Sequence, residues 1–432
     1  MDAPYHNLRQ FRKANSMRRI ATLMTALLLA ACGTDKKIPE GGTPVFGGAN
    51  QSPAVKQREI KLDRPRELRS WESAAGPLDN NPGNTTARDS FRRLYNISIG
   101  SIGANNLSLY PPIIADGHIY TIDGYLRVSK FELKNGRRAW RNNFLKPHGE
   151  IVYGSIAFAD GALYAASSNA EVIKIDAATN KLEWRTKLSG TLKGAIKVCG
   201  DRLLVMDGAN KLEVLRTSDG ATAFTKFFLD APLGMIRGST PACEGDVAIF
   251  GLQNGEIAAK NLATGASLWG ARGHAGSFHS NNTITDIVAS PVIADGKVVV
   301  KTFGGGMRAL DLKTGRELWR ASMSGRATPA ISGGTIFDAD DNNMLRAIDI
   351  ASGREIWSTR IASAKDAGFA QSVLLLNNRA VVFMSGGRAF SFDPSTGAPL
   401  STQKLASSID APVATTGGAV FVPSGSSVRV WQ

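Results

Sequence analysis

Three cysteines, five histidines and one acidic run hold most of the reactive chemistry open to this chain of 432 residues. The histidines are His6, His118, His148, His274 and His279. Only the last two are neighbours, in GHAGSFHSNN, and no thiol or carboxylate stands beside them in a zinc-ligand spacing. The acidic run DADDNN, Asp338 to Asn343, lacks the central glycine and the bidentate glutamate of a calcium loop, so it reads as a hairpin turn. No GxSxG elbow, phosphate-cradling glycine loop or Cys/His nucleophile pair occurs in a suitable context. Cys199 and Cys243 each stand just before a turn in adjacent repeat units. Radial sheets splay apart, so these two are expected to lie beyond the roughly 7 Å Cα separation that a disulfide tolerates. No catalytic residue, metal site or cofactor is expected from these residues.

Cys32 has a more informative setting. The apolar run Ile20 to Ala31 is only twelve residues long, follows Arg18-Arg19 and ends in Leu29-Ala30-Ala31-Cys32-Gly33. It is too short to span a bilayer and has the layout of a signal peptide. Its end resembles a bacterial lipobox, which implies diacylation of the Cys32 thiol, cleavage before it and acylation of the new amino terminus. Residues 1–31 are then a lipoprotein signal peptide, with Met17 an alternative start, and Gly33 rather than Asp after the cysteine implies sorting to the outer membrane. Residues 32–90 are rich in Gly, Pro, Asn and charge, as in GGTPVFGGANQSP and AAGPLDNNPGNTTARD, and read as the lipidated cysteine plus a flexible tether.

The remaining residues, 91–432, are built from repeats. DLKTGRELW (Asp311 to Trp319), DIASGREIW (Asp349 to Trp357) and DAATNKLEW (Asp176 to Trp184) are three copies of a turn that rises to an aromatic. The corresponding anchors are Tyr95, Trp140, Trp184, Phe224, Trp269, Trp319, Trp357 and Leu400, between 38 and 50 residues apart. That period, with several short β-rich runs per unit, predicts an all-β, eight-bladed β-propeller of four-stranded antiparallel blades. The last repeat, DAPVATTGGAVFVPSGSSVRVW, supplies three strands and stops. FRRLYNISIG, Phe91 to Gly100, resembles the outer strand of the other copies and is expected to complete the ring. The repeated Trp is expected to fill space between blades, and the Asp to cap its own turn.

Composition suits such a fold, with 20% charged residues, 43% hydrophobic residues and 45 glycines. Five basic and one acidic side chain precede Cys32, so cleavage there lowers the formal charge from +14 to +10. A basic protein could attract nucleic acid, an anionic membrane or an acidic partner. An exported protein has no nucleic acid to bind, and Lys134, Arg137, Arg138 and Arg141 have the dispersed placement of a solvated blade rim.

The turn-to-Trp copies resemble the repeats of pyrroloquinoline quinone dehydrogenases, a fold-level likeness implying a periplasmic quinone-dependent dehydrogenase as the alternative reading. Those enzymes carry an adjacent Cys pair over the cofactor, whereas Cys199 and Cys243 are 44 residues apart. Lipobox, tether and eight blades together resemble the BamB family, lipoproteins of the bacterial outer-membrane β-barrel assembly (BAM) machinery. The specific segments are APLGMIRGSTPACEGDVAIFGLQNGEIAAKNLATGASLW, Ala231 to Trp269, and SNNTITDIVASPVIADGKVVVKTFGGGMRALDLKTGRELW, ending at Trp319. The resemblance implies a non-catalytic scaffold that binds a POTRA domain of the barrel-inserting subunit BamA and supports insertion of unfolded outer-membrane proteins. Carried over residue by residue, its partner-binding positions are Leu233, Ile236, Arg237 and the acidic Asp286. This chain has one extra residue between Leu233 and Arg237, and Val288 stands where the family has a second Asp. Leu, Met and Ile beside an Arg is also the usual composition of an interface anchor.

Anchoring through Cys32 has a direct test, because one acyl chain holds a protein only marginally whereas a multiply acylated cysteine holds it firmly. Cys32→Ser is expected to release the protein from the membrane or to leave the precursor uncleaved. Fractionation with lipid labelling would overturn the reading by finding unchanged, labelled mature protein.

Overall fold

The computed structural model describes residues 59–100, 110–148, 152–229, 238–271, 286–303, 305–362 and 368–432. Cys32 and the signal segment lie outside the described residues. Every regular element described is a β-strand, and the strands form eight sheets in ring order. Blade one is Ile113–Ala115, His118–Ile122, Val128–Glu132 and Arg138–Asn142. Blade five is Val292–Ala294, Lys297–Thr302, Gly306–Asp311 and Glu317–Ala321, close to the parse of its repeat. Blade eight joins Ala414–Thr416, Ala419–Ser424 and Ser427–Trp431 to Arg93–Ser98, with Ile97 opposite Val428 and Ser98 opposite Ser427. The amino-terminal strand therefore closes the ring, as its repeat pattern predicts.

Each repeat interlocks with the next through its aromatic anchor. The indole N–H of Trp184 donates to the Thr217 carbonyl at 3.1 Å, that of Trp269 to Leu312 at 2.9 Å, Trp319 to Ile350 at 2.8 Å and Trp357 to Pro394 at 2.9 Å. In each case the acceptor lies at the start of the next blade's third turn. Tyr95 reaches Leu133 with its hydroxyl in the same way. The ring also lies flat on that turn's glycine. A Cβ at Gly353, whose φ is +70°, would come within 2.5 Å of the Trp319 ring, so both the positive φ and the contact require glycine there. The turn itself is capped by its first carboxylate: Asp311 Oδ1 accepts from the Thr314 amide at 2.8 Å, and Asp349 Oδ1 from the Ser352 amide at 2.8 Å.

Between blades the packing is apolar. Blade four's Ile249 and Ala259, for example, meet Val298, Val300 and Leu310 of blade five. One ionic pair is sealed into this interior: Lys301 donates to Asp338 at 2.5 Å, and neither side chain is exposed. Burial pushes the Asp338 carboxyl up, and the Lys301 ammonium pulls it back. The DADDNN run thus divides, with Asp338 buried in its strand and Asp340 capping the turn by accepting from Asn342 and Met344 at 2.9 Å.

Two expectations are corrected. Cys199 and Cys243 form a disulfide, with Cα atoms 6.4 Å apart. They belong to the first, innermost strands of blades three and four, where radial sheets converge, so the splay of the outer strands does not separate them. The second correction concerns the tether, since from residue 59 onward the chain is not a free linker. It crosses the mouth of the ring and touches all eight blades. Trp71, 3% exposed, exchanges backbone hydrogen bonds with Ile114. Glu72, Leu78 and Asp79 carbonyls accept from Phe158, Cys243 and Ile293, and Leu68 accepts from Gly417. Asp63 binds Ser332 and Gly333, and Asn84–Thr85 pairs in parallel with Leu375 and Leu376. The innermost strand of each blade has an unpaired edge toward the channel, and this strap satisfies those groups with backbone rather than with apolar side chains.

Asn80 and Lys197 form the centre of the strap's docking. Asn80 Nδ2 donates to the carbonyls of Thr240, Pro241 and Pro291 at 3.0, 3.1 and 2.8 Å, while its Oδ1 accepts from Lys197 Nζ at 2.6 Å. Lys197 also donates to the Pro77 carbonyl at 2.5 Å. Burial lowers the Lys197 amine from 10.5 to about 7, with Asp79 and Glu72 opposing the shift. A lysine whose folded value lies below its unfolded one binds fewer protons in the native state between the two values. Stability therefore rises with pH from about 7 to 10.5, and the cost of the buried charge is fully present below that window. The melting temperature of the parent, relative to Lys197→Met, is expected to climb across this range, whereas a constant difference would contradict the assignment.

Candidate functional site

Strand direction alternates within each blade, so the second-to-third turns and the blade-to-blade connections share one face of the ring. The first-to-second hairpins, which the strap covers, lie on the other. The strap covers the face opposite the connections, and the connections are unequal in length. Eight or nine residues connect blades five to six, six to seven and seven to eight, but 14 separate Ser98 from Ile113, 14 separate Phe227 from Ala242 and 20 separate Ala271 from Val292. In repeat proteins such insertions commonly mark the binding face. Two of these three long connections, including the longest, flank blade four.

Leu233, Ile236 and Arg237 belong to the first of the two connections flanking blade four and lie outside the described residues, as do His274 and His279 in the second. The described structure resumes at Gly238, and its position is tightly specified. Gly238 donates to the Lys193 carbonyl at 3.1 Å, and a Cβ there would stand 3.0 Å from the Gly194 Cα. A Cβ on Gly194 would in turn come 2.7 Å from the Ser239 carbonyl oxygen. Two backbones thus cross at van der Waals contact through a pair of glycines. The glycine of the Arg-Gly pair is explained by this contact: it fixes where the Arg237 loop leaves the ring.

Asp286 sits beside that crossing but differs from a surface acid, being only 2% exposed. Its backbone carbonyl accepts from Phe303 at 2.9 Å, and Ile287 and Val288 next to it are buried. Asp286, Lys193, Gly238 and Gln253 line one depression at the junction of blades three, four and five. Burial lowers the Lys193 amine, and the Asp286 carboxylate opposes that shift. Lys193 carries no sequence signal; its role comes from the crossing of two connections. The Asp286 side chain is thus reached through this depression and not from the outer surface.

Nearer the axis the strap forms the floor of a second hollow. Trp71, Ala74 and Asn80 lie at its base, and Thr240, Ser290 and Thr328 stand around it. The hydroxyls link neighbouring blades: the Thr240 amide donates to Ser290 Oγ at 3.1 Å and the Ser290 amide to Thr328 Oγ1 at 3.0 Å. This explains the recurring Ser/Thr-Pro pairs, in which the hydroxyl serves the adjacent blade and Pro starts a strand without needing a ladder partner. Among the described residues no three His, Cys, Asp or Glu side chains converge as a metal-binding group.

The arrangement is thus a closed ring of eight blades, and solved structures share this fold. Among solved structures, BamB from Moraxella catarrhalis aligns over 79% of this chain and all of its own length, with a TM-score of 0.67 and 16% identity. A europium-containing methanol dehydrogenase aligns over 83% of this chain and 90% of its own length, with a TM-score of 0.68 and 15% identity. These likenesses establish the fold alone. Sequence separates the two kinds of relative. The outer membrane protein assembly factor BamB of Yersinia pestis is 27% identical over 237 residues, 53% of this chain and 60% of the relative's length. That of Escherichia coli K12 is 25% identical over the same shares. The matched stretch thus spans about 60% of the length of these relatives. A family model described as outer membrane protein assembly factor BamB matches residues 124–359, more than half the chain and the whole region around blade four. With its repeats, its closure and its Arg-Gly crossing all accounted for, the chain belongs to the BamB family of outer membrane protein assembly factors.

Proposed function

We propose that this protein is a non-catalytic scaffold of outer-membrane protein assembly, anchored through Cys32 to the periplasmic face of the outer membrane. Its connection face docks a POTRA domain of a BamA-like barrel-inserting subunit, with Leu233, Ile236 and Arg237 as the contacting side chains. Asp286 sets the charge and position of the surface beneath them. The observation that carries this reading is the coincidence of family match and geometry. The 20-residue connection and one of the two 14-residue connections flank blade four, and a two-glycine crossing holds Gly238, the residue that follows Arg237. Unfolded barrel proteins are the clients, and their strands can add to the unpaired outer edges of the blades.

Truncating an arginine at an interface centre typically costs about 2 kcal/mol, roughly thirtyfold in affinity, with little effect on fold stability. Arg237→Ala is therefore expected to weaken capture of the BamA-like subunit by that factor while melting as the parent does. Arg137→Ala, which removes an exposed partner of Glu132 on blade one, is expected to bind normally. Equal capture by Arg237→Ala at matched folding would remove the assigned interface.

The alternative is a pyrroloquinoline-quinone-dependent dehydrogenase, favoured only by the shared fold. The bridge between Cys199 and Cys243 joins two blades and is not the adjacent pair of those enzymes. Purified protein given pyrroloquinoline quinone and calcium is expected to show neither a stoichiometric complex nor dye-linked alcohol oxidation, and observing both would move the reading to the enzyme.

A further inference from the structure

On the outer strands of blades two, five and six, cations are paired with carboxylates of their own blade. Arg185 meets Glu171, Lys174 meets Glu183, Arg320 and Arg308 meet Glu317, and Arg346 meets Glu355. The sector where the ring closes departs from this. The outer strand of blade seven, PLSTQK, and the last two strands of blade eight, SVRVW and RLYNIS, contain no acidic residue. Lys404, Leu405 and Ala406 from blade seven and Arg93, Arg429 and Trp431 from blade eight line one open groove between these strands.

The groove is rich in donors and has no anion. Among the described residues no carboxylate lies within 4.0 Å of Arg93, Arg388, Lys404 or Arg429, in contrast to the paired cations of blades two, five and six. Arg429 spends one N–H on the Leu405 carbonyl at 3.3 Å, but its buried Nε has no acceptor, and neither has the buried Nε1 of Trp431. Arg388 and Lys404 stand directly opposite each other in the ladder, a like-charge pair that destabilises adjacent strands unless something neutralises it. Its floor is apolar, with Leu405 and Ala406 buried and the Trp431 indole half-buried. Leu94 and Leu400, 41% and 53% exposed, project from the same two outer strands.

We propose that this groove binds the phosphodiester headgroup of an anionic glycerophospholipid, with Arg93, Arg429 and Lys404 on the phosphate and the apolar floor beneath the glycerol. Guanidinium forks match phosphate oxygens geometrically, and an amphiphile suits cations set beside buried leucine and indole better than a free ion does. The site lies at blades seven and eight, away from the surface assigned to the assembly partner at blades three to five, so either assignment can fail alone.

The test uses the purified full-length chain and a short-chain lipid below its micelle concentration. Dihexanoyl-phosphatidylglycerol is expected to bind saturably by calorimetry, and at least tenfold more weakly to Arg93→Glu/Lys404→Glu, whose exposed positions leave melting unchanged. Arg316→Glu/Arg354→Glu, two turn residues of blades five and six, is expected to bind as the parent does. Dihexanoyl-phosphatidylcholine, whose headgroup has no net charge, is expected to bind at least tenfold more weakly than phosphatidylglycerol. Inorganic phosphate binding as tightly as the lipid would overturn the headgroup assignment in favour of a simple anion site. Heptaglutamate binding as tightly would overturn it in favour of an acidic polypeptide. Lipid binding that the double charge reversal leaves intact would overturn the site itself.

Discussion

The ring depends on one repeated contact, an aromatic side chain that covers the next blade's glycine turn while donating to the carbonyl at that turn's start. A large flat ring buries on the order of 150–250 Å², and an indole N–H left without an acceptor costs roughly 1–3 kcal/mol. The contact is therefore both the adhesive between blades and a gauge of their spacing. Its variants show what it requires. Phe224 keeps the packing over Gly265 but has no hydrogen to donate. Leu400 faces the place where the turn is missing, because the third and fourth strands of blade eight come from opposite ends of the chain. There the backbone pair Arg92 and Gln432 replaces the turn, with hydrogen bonds of 2.8 and 2.9 Å, and a 53% exposed leucine suffices.

What the sequence discloses follows from that contact. An interaction repeated at fixed spacing writes its residues into the chain at fixed spacing, so blade number, closure by Phe91 to Gly100, and the capping role of Asp311 and Asp349 are readable without coordinates. The strap is made differently. Residues 59–90 are held largely by backbone carbonyls and by Asn80 and Lys197, each answering an unpaired group of a different blade, and such contacts have no period and little hydrophobicity. A segment like DNNPGN looks the same whether it is solvated or docked. The disulfide was hidden for a related reason: spacing in sequence gives blade order, but the gap between two cysteines depends on their distance from the axis. At the candidate site the Arg-Gly pair was legible as a motif, whereas the need for that glycine appears only when Gly194 is seen against it.

Strap and disulfide together make the two faces of the ring unlike. On one, Asn80 ties blades four and five to the strap, while the bond between Cys199 and Cys243 joins blades three and four at their inner strands. Blades three to five are thus tied to one another through both the strap and a covalent bond. The same three blades meet at Gly194, Gly238 and Asp286, and Gly238 lines one hollow together with Asn80. A loop that recognises a partner loses less freedom on binding when its two stems are already immobile, and preorganisation of this kind raises affinity without adding contacts.

Charge is arranged on the same logic of sectors. Where outer-strand cations meet carboxylates of their own blade, the rim is close to neutral locally and has little to offer an anion, since exposed pairs of this kind contribute only about 0–1 kcal/mol and compete with any ligand for the same donors. The closing sector cannot be neutralised in that way, because its strands come from two distant parts of the sequence, and neither SVRVW nor RRLYNIS carries an acid for the other. Closing a ring with a strand from the far terminus thus does more than remove an edge. It places beside each other two segments whose charges are not balanced within one repeat, and at blade eight the result is a cluster of cations with no carboxylate partner, unlike the paired outer strands of blades two, five and six.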